Sequence, residues 1–126
     1  MSVINMLPQG GLTSADLLWT NNSPTTSMDS LTVTADLSNY TAVIVESNAA
    51  TDNTNSSYSF VKKGATDSKS YVFAWVSTRR ANGRQITTFN NSKIVFGNGF
   101  VGASGNNNNS ACIPVKIYGV RIKGVS

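Results

Sequence analysis

At 126 residues the chain has room for one core and not for two. Hydrophobic residues make up 40% of it, enough to fold, but charged residues reach only 13%, about half the usual share. Ser, Thr and Asn take their place, which suits a densely hydrogen-bonded β-surface and argues against a cytosolic enzyme. The absence of histidine removes Ser-His-Asp and Cys-His catalysis, His-based zinc sites and the usual neutral-pH general base.

Met1–Gly11 has neither the basic start nor the apolar run of a signal peptide. No stretch approaches the roughly 20 apolar residues of a membrane span. Synthesis in a cytoplasm without membrane insertion is the expectation. Ser14–Trp19, too short for a helix, reads as a turn leading into a strand. Leu31–Asp36 alternates apolar residues with Thr and acid, the pattern of a strand with one wet and one dry face. Leu37–Tyr40 is turn material, and Thr41–Glu46 is a short apolar run expected as a strand buried on both sides.

Thr51–Ser56 offers oxygen ligands in a row but lacks the Gly and closing Glu of an EF-hand, so a polar loop is the reading. Tyr58–Val61 and Tyr71–Val76 are aromatic and β-branched, hence strands, with Trp75 expected in the core. Arg79–Arg84 contains Asn82-Gly83, a hairpin signal with Arg79, Arg80 and Arg84 around its tip. Gln85–Phe89 is the strand after it, and Asn90–Ser92 turns the chain into the strand Lys93–Phe96. Gly97–Ser110, rich in Gly and Asn, reads as a long functional or interface loop. Its four amides Asn106, Asn107, Asn108 and Asn109 are the candidate ligand-binding residues. Cys112, the single cysteine, allows no intrachain disulfide and reads as a small buried apolar residue. Ile113–Lys123 alternates again, with Gly119 marking a bulge or close approach. Seven or eight short strands without a helix describe an all-β, single antiparallel β-sandwich, jelly-roll-like, over residues 12–126.

Charge is unevenly spread. Residues 1–61 hold five acids and no Lys or Arg, whereas residues 62–126 hold all ten Lys and Arg against Asp67 alone. Drift in a short chain, complementarity between subunits, and nucleic-acid binding all fit this asymmetry. The nucleic-acid reading lacks a basic stripe interleaved with aromatics. The six carboxylates sit mostly at turns and strand ends, so neither a catalytic pair nor a metal site is expected. No cofactor is implied.

Three segments carry a resemblance. Leu18-Trp19-Thr20-Asn21-Asn22-Ser23-Pro24-Thr25-Thr26-Ser27 precedes the alternating Leu31–Asp36 and Leu37-Ser38-Asn39-Tyr40-Thr41-Ala42-Val43. The chain closes on Ile113-Pro114-Val115-Lys116-Ile117-Tyr118-Gly119-Val120. In this order they resemble the W-x-N-x-x-P-T-S, L-S-x-Y and I-P-x-K-I-Y-G-I segments of trimeric modules in bacteriophage tail-fibre, head-fibre and baseplate proteins. The matches bracket residues 18–120, and residues 46–112 carry no matching motif.

The resemblance implies a homotrimeric β-sandwich on the virion surface, with no catalytic residues. The expected partners are further copies of the chain, other capsid or baseplate proteins and a host-surface glycan. Residues 1–11, through Val3, Ile4, Met6 and Leu7, are the expected attachment segment, which favours a capsid-surface or baseplate position. A purely architectural capsid decoration or cementing protein is the alternative, and a nucleic-acid-binding protein a lesser one.

Overall fold

The computed structural model describes residues 12–51, 57–64, 66–77, 80–102 and 107–122. The expected attachment residues Val3, Ile4, Met6 and Leu7 lie outside them, as do Asn106, Arg79 and residues 52–56. Eight strands follow in chain order: β1 (Leu12–Thr20), β2 (Leu31–Thr34), β3 (Ala42–Asn48), β4 (Ser57–Lys62), β5 (Thr66–Ser77), β6 (Arg80–Phe89), β7 (Lys93–Val101) and β8 (Ile113–Ile122). They form two antiparallel sheets of four, ordered β1-β8-β3-β4 and β2-β7-β6-β5. The β-sandwich expected from the sequence is therefore present. Its pairings β1-β8-β3 and β2-β7 are those of a jelly roll. β4 and β6, however, stay beside their chain neighbours β3 and β5, as hairpins.

Period two explains the burial. In β2 only Val33 is fully buried, flanked by exposed Thr32 and Thr34. In β4, Val61 is buried while Tyr58, Phe60 and Lys62 face out. β3 lies between β8 and β4, and the Ala42–Asn48 run is buried or half-buried throughout. Val33, Val43, Val45, Val72, Ile86, Phe89, Ile94, Phe96 and Ile117 fill the space between the sheets, with Leu18 and Trp19 packed against them. The two sheets also meet along one side. Ser59 of β4 accepts a hydrogen bond from the Phe73 N–H of β5 at 2.9 Å, and its hydroxyl lies 3.2 Å from the Phe73 carbonyl. This side-chain bridge occupies backbone groups that an edge strand would otherwise leave open.

Three local expectations need correction, and at Gly119 one of two readings holds. Ser14–Trp19 lies inside β1 rather than in a turn, because residues 12–20 pair with β8. Asn82-Gly83 does not form a hairpin tip. Both residues sit inside β6, pairing with Ala74 and Phe73 on one side and Val101 and Phe100 on the other. Neither has the positive φ that a type I′ turn needs. Gly97–Val101 belongs to β7 and not to a loop. Gly119 is paired in register with both Asp16 and Val43, so it marks no bulge. It is a close-approach site, since a Cβ there would lie 2.7 Å from the Tyr40 ring and 2.8 Å from Leu18. The Trp75 side chain, expected in the core, lies outside the described residues.

Candidate functional site

β6 places Asn82, Arg84 and Ile86 on one face, the inner one. Arg84, expected at an exposed tip, is 0% exposed. Its guanidinium donates all five of its N–H groups to backbone carbonyls: Nε to Cys112 at 2.9 Å, Nη1 to Met28 at 2.9 Å and Gly97 at 2.8 Å, and Nη2 to Asn109 at 3.2 Å and Ala111 at 2.9 Å. Burial lowers its pKa from the ordinary arginine value. One side chain thus ties β7, the segment around Met28 and the loop at 109–112 together. Gly99 makes this possible, because a Cβ there would come within 2.5 Å of the Asn108 and Ala111 carbonyls and 2.8 Å of Arg84 Nη2.

The candidate amides Asn107, Asn108 and Asn109 are exposed on this tethered loop. Asn108 N–H bonds Gly99 O at 2.7 Å, and its side-chain oxygen accepts Ser110 N–H at 3.0 Å. Asn109 O accepts both Met28 N–H at 2.9 Å and Arg84. The Asn108 side chain therefore serves the turn. Asn109 contributes through its backbone, and its side chain and that of Asn107 face solvent. Behind the loop, Cys112 is buried as expected, with φ of 51° and its thiol pushed up to about 12 by desolvation. The thiol is neutral at pH 7 and is a poor nucleophile there.

The three motif segments interlock. Asn21 Nδ2 donates to Pro114 O at 2.8 Å, and Asn21 N–H to Val115 O at 2.8 Å. The Tyr40 ring lies against Gly119, and its hydroxyl donates to the Asp16 carboxylate at 2.8 Å. Hydrogen bonding to Asp16 raises the Tyr40 pKa. The Trp-x-Asn, Leu-Ser-x-Tyr and Ile-Pro-x-Lys-Ile-Tyr-Gly residues thus hold β1, β3 and β8 in register, which is a structural role.

Two outer surfaces remain. On the solvent face of the β2-β7-β6-β5 sheet, Tyr71, Phe73 and Phe100 form a triangle with ring centroids 5.7–6.2 Å apart. Phe100 reaches across Gly83, whose absent Cβ would lie 2.4 Å from the ring. Tyr71 is 39% and Phe73 48% exposed. On the other sheet, a depression of about 630 Å³ opens where the start of β3 and the ends of β4 and β8 meet. Phe60, Lys62, Ala42, Arg121 and the turn at 38–41 line it. The sequence reading singled out neither surface. Aromatic and β-branched content marked Tyr71 and Phe73 as strand residues, but their exposure depends on which face the other sheet covers.

Compared with models of protein families, with curated proteins and with solved structures, the chain matches none.

Proposed function

We propose that the chain is a non-enzymatic structural module of a bacteriophage particle, a homotrimer displayed on the virion surface that contacts the host cell. The observation that carries this reading is the aromatic triangle Tyr71–Phe73–Phe100 on an outer sheet face. Aromatic side chains left half exposed in a fixed, edge-on arrangement are characteristic of surfaces that bury against another protein. The sequence resemblance to trimeric fibre modules supports a second copy of this chain as the occupant. The interlocked motif residues support the same reading, because their work in this chain is to fix strand register. Arg84 and Gly99 add a rigidly tethered loop carrying exposed amides, suited to display.

An antibody raised against the purified chain is expected to label intact phage particles released from the strain that carries the gene. Absence of the chain from purified particles, with the protein present in the lysate, would overturn the assignment.

A further inference from the structure

We propose that the depression at the end of the β1-β8-β3-β4 sheet is a binding site for an acidic saccharide. The proposal names the ligand class for host contact and takes only the source of the saccharide from that reading. Phe60 and Lys62 project two residues apart from the outer face of edge strand β4. The Phe60 ring is 53% exposed, a platform on which the apolar face of a sugar ring can lie. Opposite Lys62 in the ladder stands Ala42, which in turn faces Val120. Ala42 and Val120 are both fully buried, so the exposed walls of the depression are the Phe60, Lys62 and Arg121 side chains.

Arg121 is held in place on the far wall. Its Nε donates to Asn39 O at 3.0 Å, and its guanidinium lies 5.2 Å from the centroid of the Tyr40 ring. Lys63, also on the rim, donates to Leu37 O at 2.9 Å and Asn91 Oδ1 at 2.8 Å. It fixes the turn and adds positive potential without facing the ligand directly. Three cations and no carboxylate line the depression among the described residues. Two carboxylates stand behind lining residues, Asp16 on the Tyr40 hydroxyl and Asp36 on Ser38 N–H and Oγ at 3.1 and 2.6 Å, and the three cations outnumber them. The local charge is therefore complementary to an anion.

The volume of about 630 Å³ falls within the usual range for small-molecule sites. An aromatic platform beside two cations and the polar turn residues Ser38 and Asn39 suits a carboxylated sugar better than a bare anion. A bare anion would have no use for Phe60.

The test is titration of the full chain, followed by NMR, with trigalacturonic acid, the neutral trisaccharide galactotriose, inorganic phosphate and triglutamate. Trigalacturonic acid is expected to bind at least about tenfold more tightly than each of the others. Both Phe60→Ala and Lys62→Glu are expected to weaken that binding about tenfold. Because both side chains are exposed, the variants are expected to keep the native mass of the parent, which checks their folding. No binding of trigalacturonic acid, equal binding of galactotriose or phosphate, or retention of affinity in both variants would overturn the proposal. Tighter binding of triglutamate would assign the depression to an acidic peptide instead. None of these outcomes bears on whether the chain is part of a particle, which the antibody experiment decides separately.

Discussion

Replacing Arg84 by methionine is expected to destabilise the fold by about 4 kcal/mol, most of what a small domain has. The replacement keeps much of the volume and removes a buried charge. Exchanging a complete ion pair for apolar residues can be neutral, because both charged partners leave together. Here the partners are the backbone carbonyls of Met28, Gly97, Asn109, Ala111 and Cys112, which no side-chain substitution removes. Each carbonyl left buried and unpaired costs about 1–3 kcal/mol, and only partial relaxation of the loop offsets that. Arg84→Lys is expected to restore little, since an ammonium offers three donors from one point instead of five from a planar fork. Urea unfolding of the three proteins measures the effect. A loss under about 1 kcal/mol for both variants would show that the carbonyls are satisfied without the guanidinium.

Gly99→Ala is expected to cost about 3 kcal/mol, at the upper end for a single added methyl group. The reason is what the methyl would meet. Two of its three nearest neighbours are backbone carbonyl oxygens at 2.5 Å, those of Asn108 and Ala111, and the third is Arg84 Nη2 at 2.8 Å. Ala111 O is held by Arg84 and Asn108 O by Ala111 N–H at 3.0 Å, so neither can move aside without breaking the same network. Gly97→Ala, two residues earlier in β7, is the control. Its Cβ would meet the Gln85 and Thr87 side chains at 3.2 Å, which can shift by a few tenths of an ångström. The Gly97→Ala loss is expected below about 1 kcal/mol. Equal losses at the two positions in thermal or urea unfolding would contradict the account of Gly99.

The strand framework was legible in the sequence because alternation reports one-sided burial directly. Leu31–Thr34 follows it, whereas Tyr58–Val61 and Tyr71–Val76 were legible as strands from their aromatic and β-branched content, which does not say which face is covered. The stretch around Arg84 was not legible, for a physical reason. Asn-Gly favours a tight turn only when φ is free to become positive, and pairing on both sides of β6 removes that freedom. Gly83 serves to seat the Phe100 ring, and Arg84 sits on the inner face where alternation expects an apolar residue. The available signal was the phase. Residues 84 and 86 share a face in a strand, and Ile86 is core. Gly97 and Gly99 read as loop residues because small side chains weaken a strand. In this chain Gly99 instead makes room for a carbonyl-lined arginine. The depression at Phe60 was out of reach of the sequence, since it depends on the start of β3 meeting the ends of β4 and β8.

The native mass of the purified protein tests the assembly reading most directly, measured by sedimentation equilibrium over a wide concentration range. A mass of three times 13.4 kDa that resists dilution is expected, falling to one times 13.4 kDa in a folded Phe73→Glu variant, where a charge would be buried at the subunit contact. A parent protein that stays monomeric at every concentration, or a Phe73→Glu trimer as stable as the parent, would contradict assembly through the Tyr71–Phe73–Phe100 face.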